Sequence, residues 1–148
     1  MWTAALILNI LHLAYHQITT HFDFFPFNNI RHYKPHERIA EAGVNAITMG
    51  YPIAALCWRN HTAVIVACCA LGFLLFGEFI SWWPAYFWGT HPSMKKWDEV
   101  YERTHKHTIH FLPPIKDHPI PNLEHCILHA LTIITFMVTL VYCIQLSG

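Results

Sequence analysis

Four long stretches of this chain are apolar and nearly free of charge, and they limit its fold more than any other feature. They run from about Trp2 to Thr20, Arg38 to Trp58, Thr62 to Trp83 and Leu123 to Leu146. About 20 apolar residues in helical form cross a hydrocarbon core of roughly 30 Å. The expected fold is therefore all-α: an integral membrane four-helix bundle, with residues 1–148 as one transmembrane domain. Composition agrees, since 54% of the 148 residues are hydrophobic and 12% are charged, against about a quarter charged in soluble domains. A formal net charge of zero provides no basic surface for nucleic acid.

The first stretch, MWTAALILNILHLAYHQ, lacks a basic leader and a small-residue cleavage site, so it reads as a retained helix. Pro84 is expected to follow the third span, and Pro119 and Pro121 precede the fourth. Gly43, Gly50 and Pro52 fall inside the second span, where neighbouring helices can satisfy the backbone. Cys57, Cys68, Cys69, Cys126 and Cys143 sit in or beside apolar runs without a CxxC pair, and read as small core residues.

Charge sets the orientation. Arg31, Lys34, Arg38, Lys95, Lys96, Arg103, Lys106 and Lys116 lie in or at the edges of links 21–37 and 84–122, whereas the remaining link holds only Arg59. The positive-inside rule makes the two basic links cytoplasmic and places both termini outside. SWWPAYFW and DFFPFNN read as interfacial aromatic clusters. WDEVYERTHKHTIHF reads as an amphipathic interfacial helix with Trp97, Tyr101, Thr104, Thr108 and Phe111 along one stripe. Together these links would form a histidine-rich cap over the cytoplasmic mouth.

Of the 13 histidines, only His61 belongs to the outer side. At a rise of about 1.5 Å per residue, His12 lies about 12 Å inside the cytoplasmic end of span one. Glu41 and Asn45 lie about 5 and 10 Å inside span two, and Glu78 about 8 Å inside span three. His125 and His129 lie about 3 and 9 Å inside span four. All four helices thus bring a polar group to a similar level. Facing agrees: Asn9, His12 and His16 share one helix face, as do Glu37, Glu41 and Asn45, and His125, His129 and Thr132. His21 points nearly opposite His12 and belongs with the cap, while His91 and His118 read as solvated.

Ionisable groups inside a membrane are costly and mark functional sites by default. Imidazole and carboxylate suit iron or zinc, accept manganese or copper, and disfavour an iron–sulfur cluster. The first candidate metal ligands are His12, His16, Glu41, Glu78, His125 and His129, with His32, His36, His105, His107 and His110 completing the shell from the cap. That supply exceeds the three or four ligands of one zinc and points to two iron ions, held as bundle di-metal sites are. Glu41 and Glu78 are the candidate catalytic carboxylates, and Glu102 with His105 has Glu-x-x-His spacing.

The arrangement is similar in logic to membrane desaturases and hydroxylases, whose cytosol-facing histidine boxes hold a di-iron centre. HYKPHE and THKHTIH read as ligand clusters of the cap, but the adjacent histidines of an HxxHH box are lacking and the chain is short for that family. The analogy implies iron and oxygen chemistry and does not assign the chain to that family. The expected function is a non-haem, di-iron membrane oxidoreductase acting on a hydrophobic, lipid-like substrate. No nucleotide or flavin motif is present, so an external electron donor is expected as a partner, and the chain can oligomerise. Three rivals stand beside this reading. One is a haem b electron carrier clamped by His12 or His16 with His125 or His129. Another is a metal-independent acid–base isomerase of a sterol or isoprenoid. The last is a metal-ion transporter, disfavoured because VIVACCALGF and FMVTLVYC carry no carboxylate through the outer half.

Overall fold

A computed structural model of the protein describes residues 1–147, and every regular element among them is helical. Five α-helices follow in chain order: α1 (Trp2–His21), α2 (Pro35–Trp58), α3 (His61–Trp88), α4 (Lys95–Thr104) and α5 (Leu123–Gln145). The four long ones close a ring in which α1 packs on α2 and α5, and α3 packs on the same two. Cross-helix hydrogen bonds give the register. Asn9 reaches Thr139, His12 meets Thr132, and Tyr15 donates to the Glu124 carbonyl, so α1 and α5 run antiparallel. Trp2 bonds the Leu56 carbonyl while Gln17 bonds that of Ala42, so α1 and α2 are antiparallel as well. Segments 22–34 and 89–122 therefore emerge at the same end of the ring.

Helix ends follow local chemistry. Pro35 occupies the first turn of α2, where its missing N–H costs nothing, and Glu37 accepts the Lys34 N–H at 3.0 Å. Arg59 takes a left-handed conformation (φ 52°) to end α2, and the Asn60 side chain then accepts the Ala63 N–H to start α3. Asn122 caps α5 in the same manner through His125 N–H. α2 runs unbroken through Pro52, as expected of a proline supported by neighbours.

Two elements depart from expectation. α3 does not stop before Pro84 but continues to Trp88. One lost backbone hydrogen bond is offset there by burial of Trp82, Ala85 and Tyr86, with Tyr86 Oη donating to the Pro113 carbonyl at 2.9 Å. The amphipathic helix α4 ends at Thr104, short of the expected stripe. Trp97 and Tyr101 stack on each other and edge onto Trp82, and Thr104 is buried. Thr108 is also buried, but in a turn where it donates to the His105 carbonyl, and Phe111 is exposed. Gly89 makes the turn out of α3 at φ +89°, and a side chain there would meet the His118 ring at 3.2 Å.

By length and composition, α3 and α5 are able to cross a bilayer. α1 and α2 are comparably long, but inward-facing His, Asn and Glu dilute their apolar character. The bundle is apolar outside, and its interior holds a polar layer beside an apolar cluster. Asn9, His12, Thr132, Thr135 and Thr139 are at most 1% exposed, while Ile7, Val44, Ile47, Phe73, Phe76 and Ile134 all face outward.

Candidate metal and acid–base site

The inward faces of the four long helices place their polar residues at one level near the α1 C-terminus. The i,i+3 and i,i+4 spacing of Asn9, His12 and His16 puts all three in the interior, none more than 3% exposed. A chamber of ≈ 200 Å³ is lined by His16 from α1, Glu41 and Asn45 from α2, Glu78 from α3, and His125 and His129 from α5. Sequence spacing had pointed to each of these. Glu41 Oε1 lies 3.8 Å from His16 Nε2, which also faces Asn45 Nδ2 at 3.0 Å.

Deeper in, Thr132 holds three partners with one hydroxyl. Its Oγ1 lies 2.7 Å from Glu78 Oε1, 2.8 Å from His12 Nε2 and 2.9 Å from the Leu128 carbonyl. A hydroxyl has a single proton to give. At least one of Glu78 and His12 must therefore donate to Thr132. His12 lines none of the chamber and lies behind Thr132.

His129 is defined by its neighbour. Trp83 Nε1, which can only donate, bonds His129 Nδ1 at 3.2 Å. The proton of a neutral His129 then sits on Nε2, which is buried without a partner. In this geometry His129 is a hydrogen-bond donor aimed away from Trp83, whereas a metal ligand needs a bare nitrogen.

A cleft of ≈ 720 Å³ opens between α3 and α5, walled by Leu75, Phe76, Phe79, Trp83, Phe87 and Ile133. Glu78 and His129 line both this cleft and the polar chamber. An apolar passage thus meets the polar layer at one acid and one imidazole.

The polar layer continues from the chamber to beneath α4. A second space of ≈ 310 Å³ is lined by Tyr33, Glu37, Glu41, Trp97, His105 and His125. His105 is 6% exposed, and its Nε2 lies 2.9 Å from Tyr33 Oη. Burial, with a smaller contribution from His110, lowers His105 to about 3, so its ring is neutral at physiological pH. Burial and then Glu41 push the Tyr33 phenol up, so it stays protonated. Ligand atoms of His105, Glu124 and His125 lie within 4.8 Å of one another, the one such metal-capable trio among the described residues.

The remaining histidines fare differently. His32, His36 and His107 are exposed and line neither the chamber nor the space beneath α4. His110 is half-buried, with Nε2 unpartnered, and stands apart from the trio. His21 and His91 are exposed, and His118 bonds the Tyr86 carbonyl. Glu102 pairs with Lys106 on the surface rather than with His105. Sequence reasoning overlooked Glu124 and Tyr33. Glu124 could have been suspected as an acidic residue beside His125 at the same depth, although it lies one helical step off that face. No protein-family model, no curated protein and no solved structure matches the chain.

Proposed function

We propose that the chain is a multi-pass membrane enzyme, a metal-dependent oxidoreductase that acts on a hydrophobic substrate entering from the bilayer. The carrying observation is the shared wall of Glu78 and His129, where an apolar cleft meets a chamber of carboxylates and imidazoles. Pockets of this kind, mostly apolar with a few convergent polar groups, are the usual form of small-molecule sites. An apolar exterior around a buried polar interior supports four spans, and the uneven basic residues support cytoplasmic placement of the end bearing α4, with both termini outside.

Iron is the metal that this oxygen- and nitrogen-rich donor set suits for redox work, and bound iron would supply oxygen activation. Insertion of oxygen into a C–H bond consumes dioxygen, two electrons and two protons, and yields an alcohol and one water. The electrons come from a separate one-electron carrier. The chain's own residues handle substrate and protons. Cleft residues exclude water, His129 presents its Nε2 proton at the cleft end, and Glu78 exchanges a proton with His12 through Thr132. Purified protein in detergent should contain iron, and an Ala130→Phe substitution in the cleft wall should block lipid turnover while leaving the iron in place. Metal-free protein, or unimpaired turnover in Ala130→Phe, would count against the reading.

A second reading is favoured by the proton on His129. With Glu78 beside it, that pair can protonate and deprotonate an isoprenoid or sterol carbon without a metal, shifting a double bond. Turnover that survives chelation would select this alternative.

A further inference from the structure

His16 in the chamber is bonded through both ring nitrogens, whereas His105 beneath α4 keeps a buried ring nitrogen without a partner. We propose that His105, Glu124 and His125 form a mononuclear two-histidine, one-carboxylate site for a divalent transition metal of the ferrous class, which also latches the α4 segment onto α5. The inference rests on the metal dependence proposed above, and replaces the expected pair of ions by one.

Four observations carry it. First, the trio's ligand atoms already lie within 4.8 Å of one another. Nitrogen and oxygen ligands about 2.1 Å from an ion stand at most about 4 Å apart; Glu124 Oε2 now lies 3.9 Å from His125 Nδ1, so its carboxylate turns toward Nε2 as the site closes. Second, the His105 ring is buried and its Nδ1 has no partner, while Nε2 is held by Tyr33. In the tautomer that donates Nε2–H to the phenol oxygen, Nδ1 is a bare, buried nitrogen without a partner, and metal binding selects that tautomer.

Third, the tautomer of His125 is fixed by an unambiguous cap. Asn122 Oδ1 accepts the His125 backbone N–H at 3.1 Å, and its Nδ2 donates to Thr108 Oγ1 at 3.0 Å. The oxygen is therefore the atom 2.7 Å from His125 Nδ1, which makes Nδ1 the protonated nitrogen and Nε2 the free one. A carboxamide or carbonyl orienting a ligand histidine in this manner is the usual outer shell of a metal site. Fourth, a cavity of ≈ 20 Å³ touches all three residues, and about 10–15 Å³ suffices for one water-sized occupant. Arg38 also lines this cavity, and Glu41 there offsets its charge beside Glu124.

Two histidines and one carboxylate leave coordination positions open, as in mononuclear ferrous oxygenases. The test loads metal-depleted, purified full-length protein with iron(II) under anaerobic conditions and adds nitric oxide as an oxygen surrogate. Expected are one iron per chain, the electron-spin signal of a ferrous nitrosyl, and protection of the Lys95–Lys116 region from trypsin on metal addition. His105→Gln and Glu124→Gln should each lower affinity at least 100-fold and abolish that protection, with helical circular dichroism unchanged. Tyr33→Phe, which only orients His105, should weaken binding by about 10-fold or more. Two irons per chain, or wild-type affinity in both His105→Gln and Glu124→Gln, would overturn the trio while leaving metal dependence intact. No iron in the wild-type protein overturns both proposals.

Discussion

The two ends of the bundle are built on opposite principles. At the α2–α3 turn, Ala5, Leu56, Val64 and Cys68 pack with Tyr142 and Cys143, and Trp2, Leu6 and Phe136 complete the cluster. Trp2 and Arg59 find partners there: Trp2 Nε1 donates to the Leu56 carbonyl, and the Arg59 guanidinium lies 4.2 Å from the Trp2 ring centroid. At the other end, Glu78 Oε2, His129 Nε2, His12 Nδ1 and His105 Nδ1 are all buried without partners among the described residues. Each such atom costs on the order of 1–3 kcal/mol. An arrangement that costs so much at one end persists because the other end is packed well enough to bear it. The packed apolar cluster and the unpartnered polar layer are thus separated along the bundle axis.

The sharpest way to break this contrast is to remove His125, which lines the chamber and belongs to the trio. His125→Ala should eliminate bound metal and turnover together, read by elemental analysis and a lipid oxidation assay. Full metal content in the folded variant would sink the metal assignment. The mirror experiment is Leu56→Ala, at a side chain with no exposure. It should cost about 2–5 kcal/mol of stability, as large-to-small core changes do, yet leave metal per folded chain unchanged. Loss of metal in Leu56→Ala would mean that the two ends are not separable.

Thr132→Val tests the contrast within one side chain, since it preserves shape and removes only the hydroxyl that joins Glu78 to His12. Loss of a cross-helix hydrogen bond inside a membrane costs about 0.6–2 kcal/mol. The larger effect is expected on proton handling, with turnover falling about 10-fold or more, as for loss of a proton-transfer group. Equal turnover in wild type and Thr132→Val would remove the relay from the mechanism.

What could be read from the sequence divides along the same axis. Periodicity located the four long helices and the inward faces of His12, His16, Glu41, Glu78, His125 and His129, because helical spacing alone fixes which residues share a face. It failed wherever tertiary packing decides. Pro84 looked like a stop, yet aromatic burial carries α3 to Trp88. His32 and His36 have the same i,i+4 spacing as His12 and His16, but they flank the start of α2 and face out of the bundle. Glu124 sits about 100° from His125 around the helix, so its partnership with His105 arises only when the segment after α4 folds across the α5 N-terminus. Helix-borne chemistry was legible, and chemistry assembled by a returning loop was not.

The 89–122 segment should be the weakest-held part of the polar end, and one surface pair measures how weakly. Arg103 Nη2 donates to Glu37 Oε2 at 2.9 Å, tying α4 to the first turn of α2. The Lys34 N–H bond, and then Arg103, hold the Glu37 carboxyl below its ordinary value of 4.5. A carboxyl whose folded value is depressed contributes fully above its unfolded value and loses that contribution as pH falls through the folded one. Both side chains are about three-tenths exposed, so Arg103→Gln should cost only about 0.2–1 kcal/mol at neutral pH. That difference should shrink as pH drops below about 4.5 and vanish once Glu37 is protonated. Trypsin cleavage rates in the Lys95–Lys116 region, compared between wild type and variant at neutral pH, read the same weak tie directly. If Arg103→Gln instead released the segment completely, the latch would lie at this surface pair, and metal at His105 would not be needed to hold it.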